Sequence, residues 1–434
     1  MARQFNVPTT PRGLTSGFLR FVCMLLVGVS AVVWSLAAQA EPVMPVAFRT
    51  WSDQTVSIET YWGLQVSLGP GASQVEPDLT LGGASLAVRL PSGLQATRMK
   101  WDKQTSLGEL AVGRDQEDSS LSVALDRAPN RAKASLVEMK PGSKPTQNAV
   151  LVKSWYPKID GAFASTPVAR VQAAEVVLIY GTHTSLEAAA DNGLGKNVAV
   201  DLAVVVLDGV AAIDAKDVKA LAKKLGARQI YLIGDAQVTG EMATRKAVGN
   251  TTALVAGAKP HDAGPVLIQH ADKPWEMPEA MGGLFADLDA AGRKWSAVFE
   301  PLSVNQMNHQ PANGTHTPRW NIEHMASRQM FFITRLYHAA DPSFPHVRLD
   351  PAQMPPNYKA RHADWDGAEE ARRVYRTSAF VQRFAYLYHG RDLDQPLAGT
   401  RIRFRAIVRQ VTRHYPEHTR NVLDKMKLDD WPAE

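Results

Sequence analysis

Between residues 404 and 418 the chain sets Phe404, Ile407, Val411, His414 and His418 at steps of three and four. On an α-helix such positions share one face, and an apolar seam of that kind has to be buried against other helices. Helix signals upstream supply the partners. Gly283 to Phe299 reads as a first helix. Thr317-Pro318, a cap followed by proline in the first turn, opens a second that runs to about Ala340. Asp366, with Glu369 and Glu370 just behind it, opens a third that ends near Gly390. Thr400 opens the fourth, ending near Lys427, and a Pro-rich connection from Asp341 to Trp365 separates the second from the third. Residues 277–434 are therefore expected to form an all-α four-helix bundle.

Residues 41–276 have another texture. Val56-Ser-Ile-Glu-Thr-Tyr alternates, Gly63-Leu-Gln-Val-Ser-Leu follows, and further short strand-like runs come at Ala84–Leu90, Leu107–Val112, Leu121–Leu125 and Ala134–Met139. Val176-Val-Leu-Ile-Tyr and Leu202-Ala-Val-Val-Val-Leu are continuous apolar runs, the pattern of strands buried on both faces. Asp214–Leu225 is helical, with an acidic start and a basic end, and leads through Gly226 into the run Ile230-Tyr-Leu-Ile. That is a β–α–β unit, so the expectation is a β-rich α/β domain. Lys259-Pro260, Gly264-Pro265, Lys273-Pro274 and Met277-Pro278 place its boundary with the bundle near residue 276.

Ahead of it lies an uncharged apolar run, Phe21–Leu36, behind Arg3, Arg12 and Arg20 and before Ala38-Gln39-Ala40. Basic, apolar and small-residue segments in that order read as a secretory leader spanning residues 1–40. Export to the periplasm or the extracellular space is expected, with membrane association only if the leader stays uncut. The single cysteine, Cys23, sits inside the leader, so the mature chain has no thiol for disulfides, nucleophilic catalysis or thiolate ligation. The formal charge of +5 falls nearly to zero without the three leader arginines, and no nucleic-acid surface is expected.

Two imidazoles one turn apart, His414 and His418, can reach a common ion at about 2.0–2.1 Å. His324 on the second helix can supply a third nitrogen from across the bundle. Spacing alone leaves two readings open: a metal site, or core histidines with hydrogen-bond partners. Pro416 lies between the pair and predicts a kink or a restart of the helix there. The segments Leu302-Ser-Val-Asn-Gln-Met-Asn-His-Gln-Pro, Thr317-Pro-Arg-Trp-Asn-Ile-Glu-His-Met and His414-Tyr-Pro-Glu-His-Thr-Arg-Asn-Val together resemble the DinB/YfiT-like superfamily. The resemblance covers nearly all of residues 283–430. It implies a four-helix bundle whose divalent transition metal, zinc or nickel before others, is held by His324, His414 and His418. It also implies that Trp320 is the aromatic preceding the first ligand. Pro416 and the 341–365 connection depart from the family pattern.

Three neutral nitrogens leave a position open on a metal, as catalytic sites do. The resemblance implies either thiol-dependent transfer or metal-dependent hydrolysis, and export away from cytosolic thiols favours hydrolysis. The alternative is a non-catalytic envelope binding or scaffold protein with structural histidines. Glu323 and Glu417 adjoin ligands as supporting groups or general bases, but at one residue's remove each points about 100° away, which favours salt-bridged surface positions. Arg401, Arg405, Arg409 and Arg413 form a basic stripe, read as a solvated face. The first domain weakly resembles the metallo-β-lactamase fold, without that family's His-x-His-x-Asp-His cluster. Its histidines His183, His261 and His270 are not at ligand spacing. Gly193-Leu-Gly-Lys196 lacks the spacing of a phosphate loop, and Ser185 lacks a nucleophile elbow. The small-molecule ligand and the oligomeric state are not legible.

Overall fold

The computed structural model describes residues 43–434, with 52–53, 70–78, 82–85, 90–94, 99–108, 111–118, 125–132, 136–148, 156, 165–167, 174, 195–198, 208, 258–263, 272, 313, 351–353, 355–356, 398–399 and 434 outside the description, and with backbone alone over 79–155. The leader with Cys23, His261, Lys196 and Lys259-Pro260 lie outside the described residues. No described helix is long and apolar enough to cross a membrane.

The two continuous apolar runs form the middle of an eight-stranded sheet. Val176–Thr182, Val200–Val206, Ala227–Ile233, Val266–Gln269 and Thr244–Lys246 are parallel neighbours, while Val168–Ala173, Ala149–Trp155 and Ser119–Ala124 extend the sheet antiparallel. Crossover helices α1 (His183–Asp191) and α2 (Ala215–Leu225) cover one face. Thr182 and Asp214 cap them, accepting from Ser185 N at 3.2 Å and Lys216 N at 2.7 Å, which satisfies amides left free at a helix start. Ser185 is thus a buried residue of α1's first turn. The period-two geometry of strands then divides the side chains: Val177, Ile179, Ala203 and Val205 pack under the helices, and Leu178, Leu202 and Val204 face the opposite core.

That opposite core is shared. A seven-stranded sheet, in the order Thr251–Leu254, Val46–Thr50, Val56–Glu59, Gln65–Leu68, Leu86–Arg89, Leu79–Leu81 and Glu109–Leu110, contributes Phe48, Ile58 and Val66 to it. His270 bridges the two sheets, bonded to Thr50 Oγ1 at 2.9 Å and Thr252 Oγ1 at 2.8 Å. Burial, then Arg245, pushes it down to about 4, so it is a neutral core histidine. His183 pairs with Glu187 at 3.7 Å on α1. The hairpin turn at Thr60–Gly63 presents Tyr61 and Trp62 to the helical region, and Gly63, at φ +82°, takes a conformation that a side chain would oppose. Tyr61 meets Phe380 edge-on at 5.5 Å and Trp62 meets Trp365 at 6.2 Å. Arg383 donates to Thr60 O at 2.8 Å and to the Glu59 carboxylate. Residues 42–434 form one compact unit.

Helices α3 (Glu279–Ser296), α5 (Pro318–Ala340), α6 (Gly367–Arg383) and α7 (Phe404–Lys425) make the bundle, with the short α4 (Val304–Asn308) before α5. Each long helix touches two neighbours in the cyclic order α3–α7–α5–α6. The caps fall where the sequence predicts for α5 and α6: Thr317 accepts from Trp320 N, and Asp366 accepts from Glu369 N at 2.8 Å. Gly367 is required by close approach, since a Cβ there would lie 1.7 Å from Phe299 O. Two predicted starts are corrected. α3 begins at Glu279, not Gly283, so both Gly282 and Gly283 are helical. α7 begins at Phe404, because the Thr400 hydroxyl bonds the local backbone at Leu397 and Ile402 instead of capping a helix. Nor does the helix restart at Pro416. It runs unbroken, losing one amide donor to proline while Tyr415, Thr419 and Val422 anchor it on both sides in the core.

Candidate metal centre

α5 is buried at every position from Pro318 to Ser327, although a bundle helix ordinarily shows one face to solvent. The connection between α5 and α6 is the reason. Asp350 accepts two bonds at 3.0 Å from Arg373, and Tyr358 OH and the amides of Arg361 and His362 all donate to Glu323. Arg319, fully buried, donates to Asn308 Oδ1, to the carbonyls of His362 and Trp365, and to Glu370 Oε1 at 3.2 Å. Glu323 is therefore not a surface residue, and it is not part of the site. It points away from the histidines, as its helical position requires, and fastens the connection. Burial and then Asp350 raise its pKa, and burial and then Glu323 push Glu370 up to about 8.

Beneath this cover α5 and α7 bring three imidazoles together. One ring nitrogen from each of His324, His414 and His418 lies within 4.8 Å of those of the other two. The ring centroids are 5.2 Å apart for His324–His414, 4.8 Å for His324–His418 and 4.3 Å for His414–His418. The inward seam of α7 runs through Phe404, Val408, Val411, Tyr415 and Val422, so the two α7 histidines are half-buried at its rim, where the seam meets a cleft.

Neighbouring groups fix the tautomers. Asn321 Nδ2 donates to Thr317 O at 2.9 Å, which turns Oδ1 toward His418 Nδ1 at 3.0 Å. His418 must donate from Nδ1 and keeps its lone pair on Nε2. Glu417 Oε2 stands 3.5 Å from His414 Nδ1 and has the same effect there. Glu417 is exposed, as predicted, yet it also faces a site ligand. His324 Nδ1 and His414 Nε2 are buried and make no hydrogen bond among the described residues. Burial, then the neighbouring imidazoles, push His324 and His418 down to about 3, and burial lowers His414. All three are neutral donors at physiological pH. Trp320 stacks on His324 at 4.7 Å.

Carboxylate or amide partners that orient ligating imidazoles typically contribute 10–100-fold to metal affinity. Where the three imidazoles hold zinc, Asn321→Ala is expected to weaken its binding by roughly 10–100-fold, with Asn321→Asp close to wild type because it keeps an acceptor. Competition against a chromophoric chelator reads this directly, and an alanine variant within twofold of wild type would remove Asn321 from the site.

An open cleft of about 330 Å³ lies against the histidines, lined by His324, Arg328, Phe332, Met354, Gln410, Val411 and His414. A second of about 550 Å³ lies on the Asn321 side, with His316 and Lys425 in its wall. Of the predicted basic stripe, Arg401 precedes α7, Arg405 pairs with Asp394 at 2.9 Å, and Arg409 and Arg413 are solvated. Asn321 and Arg328 were not singled out in the sequence. Their signal was available, since they stand three before and four after His324 on one helix face.

Residues 287–431 match the model of the DinB superfamily. The C-terminal helical region is DinB-like. A structure of a metallo-β-lactamase superfamily protein from Thermotoga maritima aligns over 52% of this chain and 98% of its own, at 13% identity and a TM-score of 0.24, too distant a likeness to establish fold or chemistry here. No curated protein matches the chain.

Proposed function

We propose that the DinB-like region is a metal-dependent hydrolase centre in which His324, His414 and His418 hold a divalent transition metal, zinc or nickel before others. The observation that carries this is the convergence of three imidazoles from two helices, each with a ring nitrogen within 4.8 Å of those of the other two, while His324 Nδ1 and His414 Nε2 are buried without a hydrogen bond among the described residues. Core histidines in a scaffold protein satisfy their nitrogens with protein groups, as His270 does with two threonines. When bound, such an ion supplies Lewis acidity and acidifies water.

The chain's own residues prepare the place for it. Asn321 and Glu417 hold two imidazoles by their far nitrogens, Trp320 stacks on the third, and Phe332, Val411 and Met354 give the cleft apolar walls. The leader-like segment at residues 1–40 supports action outside the cytoplasm, away from small thiols, and so hydrolysis over thiol transfer. The test is elemental analysis of protein purified without chelators or a polyhistidine tag, with a screen of ester, amide and phosphoester substrates before and after metal removal. Near-stoichiometric metal and a chelator-sensitive hydrolysis support the reading. No metal, even after incubation with zinc and nickel, sinks it.

A further inference from the structure

Arg328 stands without a carboxylate partner among the described residues, unlike four other arginines of this bundle. Arg319, Arg373, Arg376 and Arg383 all pair with carboxylates. Arg328 makes no ion pair or hydrogen bond among the described residues, and its guanidinium lies 5.8 Å from the Phe332 ring centroid. It stands one turn beyond His324 on α5, half-buried, in the wall of the 330 Å³ cleft that His324 and His414 also line. Among the described residues no carboxylate lines that cleft. The ligand set is neutral as well, so a divalent ion on it would keep most of its charge, with the exposed Glu417 carboxylate at His414 Nδ1. A cleft with low-dielectric walls and charge of one sign concentrates ligands of the other.

We propose that the cleft takes a small oxyanion with an apolar body, its carboxylate or phosphonate-like group bound by Arg328 while the rest of the molecule packs on Phe332, Val411 and Met354. This rests on the metal-centre reading for the position of the reacting atom, but the anion subsite belongs to the chain itself. A planar guanidinium presents parallel donors matched to two oxygens, so the fit is to carboxylate and phosphate chemistry and not to a neutral carbonyl. A volume of that size suits a small molecule and not a peptide or a polymer.

The test is calorimetric titration of the full chain, metal-loaded and metal-free, with benzoate, phenylphosphonate and neutral benzamide. The wild type, Arg328→Gln and Arg328→Lys are compared, with folding checked by circular dichroism. The wild type is expected to bind at least one anion tenfold or more tightly than benzamide. Arg328→Gln is expected to abolish that preference and Arg328→Lys to keep part of it, with metal content unchanged in both. Which anion binds more tightly identifies the headgroup. Equal affinity of wild type and Arg328→Gln for the anions, no preference over benzamide, or no anion binding at all overturns the proposal. An Arg328-dependent preference in a protein that takes up no metal supports the subsite while removing the metal centre, so the two readings fail separately.

Discussion

Alanine at position 324 is expected to abolish transition-metal binding at the proposed centre. His414 and His418 come from one helix, and His324 is the one candidate ligand from α5 among the described residues, so its loss reduces a three-point site to an adjacent pair. Affinity is expected to fall by more than the roughly 10–100-fold typical of losing an outer partner of a ligand. Zinc binding also couples to folding: at about 100 times the dissociation constant a ligand adds roughly 2.7 kcal/mol of stability. Thermal unfolding of the wild type should therefore shift upward with added zinc, and that of His324→Ala should not. The metal-free variant is expected to remain folded, because α5 is fastened by Arg319 and Glu323, which make no use of the imidazole. Stoichiometric metal retained in His324→Ala would show that the site lies elsewhere.

Arg373→Met will destabilise the fold more than any change at the site itself. The guanidinium is 4% exposed, binds both oxygens of Asp350 at 3.0 Å, and stands 3.7 Å from Glu370, which is fully buried. Removing it strands carboxylates in a low-dielectric interior, a loss of about 3–5 kcal/mol in comparable cases. Asp350 also anchors the connection that carries Met354 to the cleft, so the effect should reach the site. Amide exchange over residues 344–350 should quicken, and ligand binding in the cleft should weaken, before global unfolding. Pairing the change with Asp350→Leu should recover much of the stability, because exchanging a whole buried ion pair for apolar groups is often neutral. A single variant within about 1 kcal/mol of wild type in urea unfolding would show that this network contributes little.

How much of this was legible depends on the range of the interaction. The α5 and α6 starts were readable because Thr317 and Asp366 cap amides three residues away, a local hydrogen bond with a local signature. The β–α–β unit was readable for the same reason, since runs such as Leu202-Ala-Val-Val-Val-Leu carry their burial on both faces. Thr400 misled, because its hydroxyl had a local alternative in the turn before α7. Glu323 misled for a different reason: its surroundings are made by Tyr358, Arg361 and His362, some 35–39 residues away.

The sequence by itself determined the helical periodicity, the capping and the three imidazoles, because each depends on spacing along one helix or on a short motif. Only the tertiary structure decided which ring nitrogens stand unpartnered, that α7 carries Pro416 without restarting, and that Arg328 pairs with no carboxylate among the described residues. Those are properties of what surrounds a side chain. Here the surroundings come from the 341–365 connection over α5, the facing helix α7, and a hairpin tip some 320 residues from the Arg383 it binds. Burial and pairing are set by packing at a distance, which spacing within a segment does not encode.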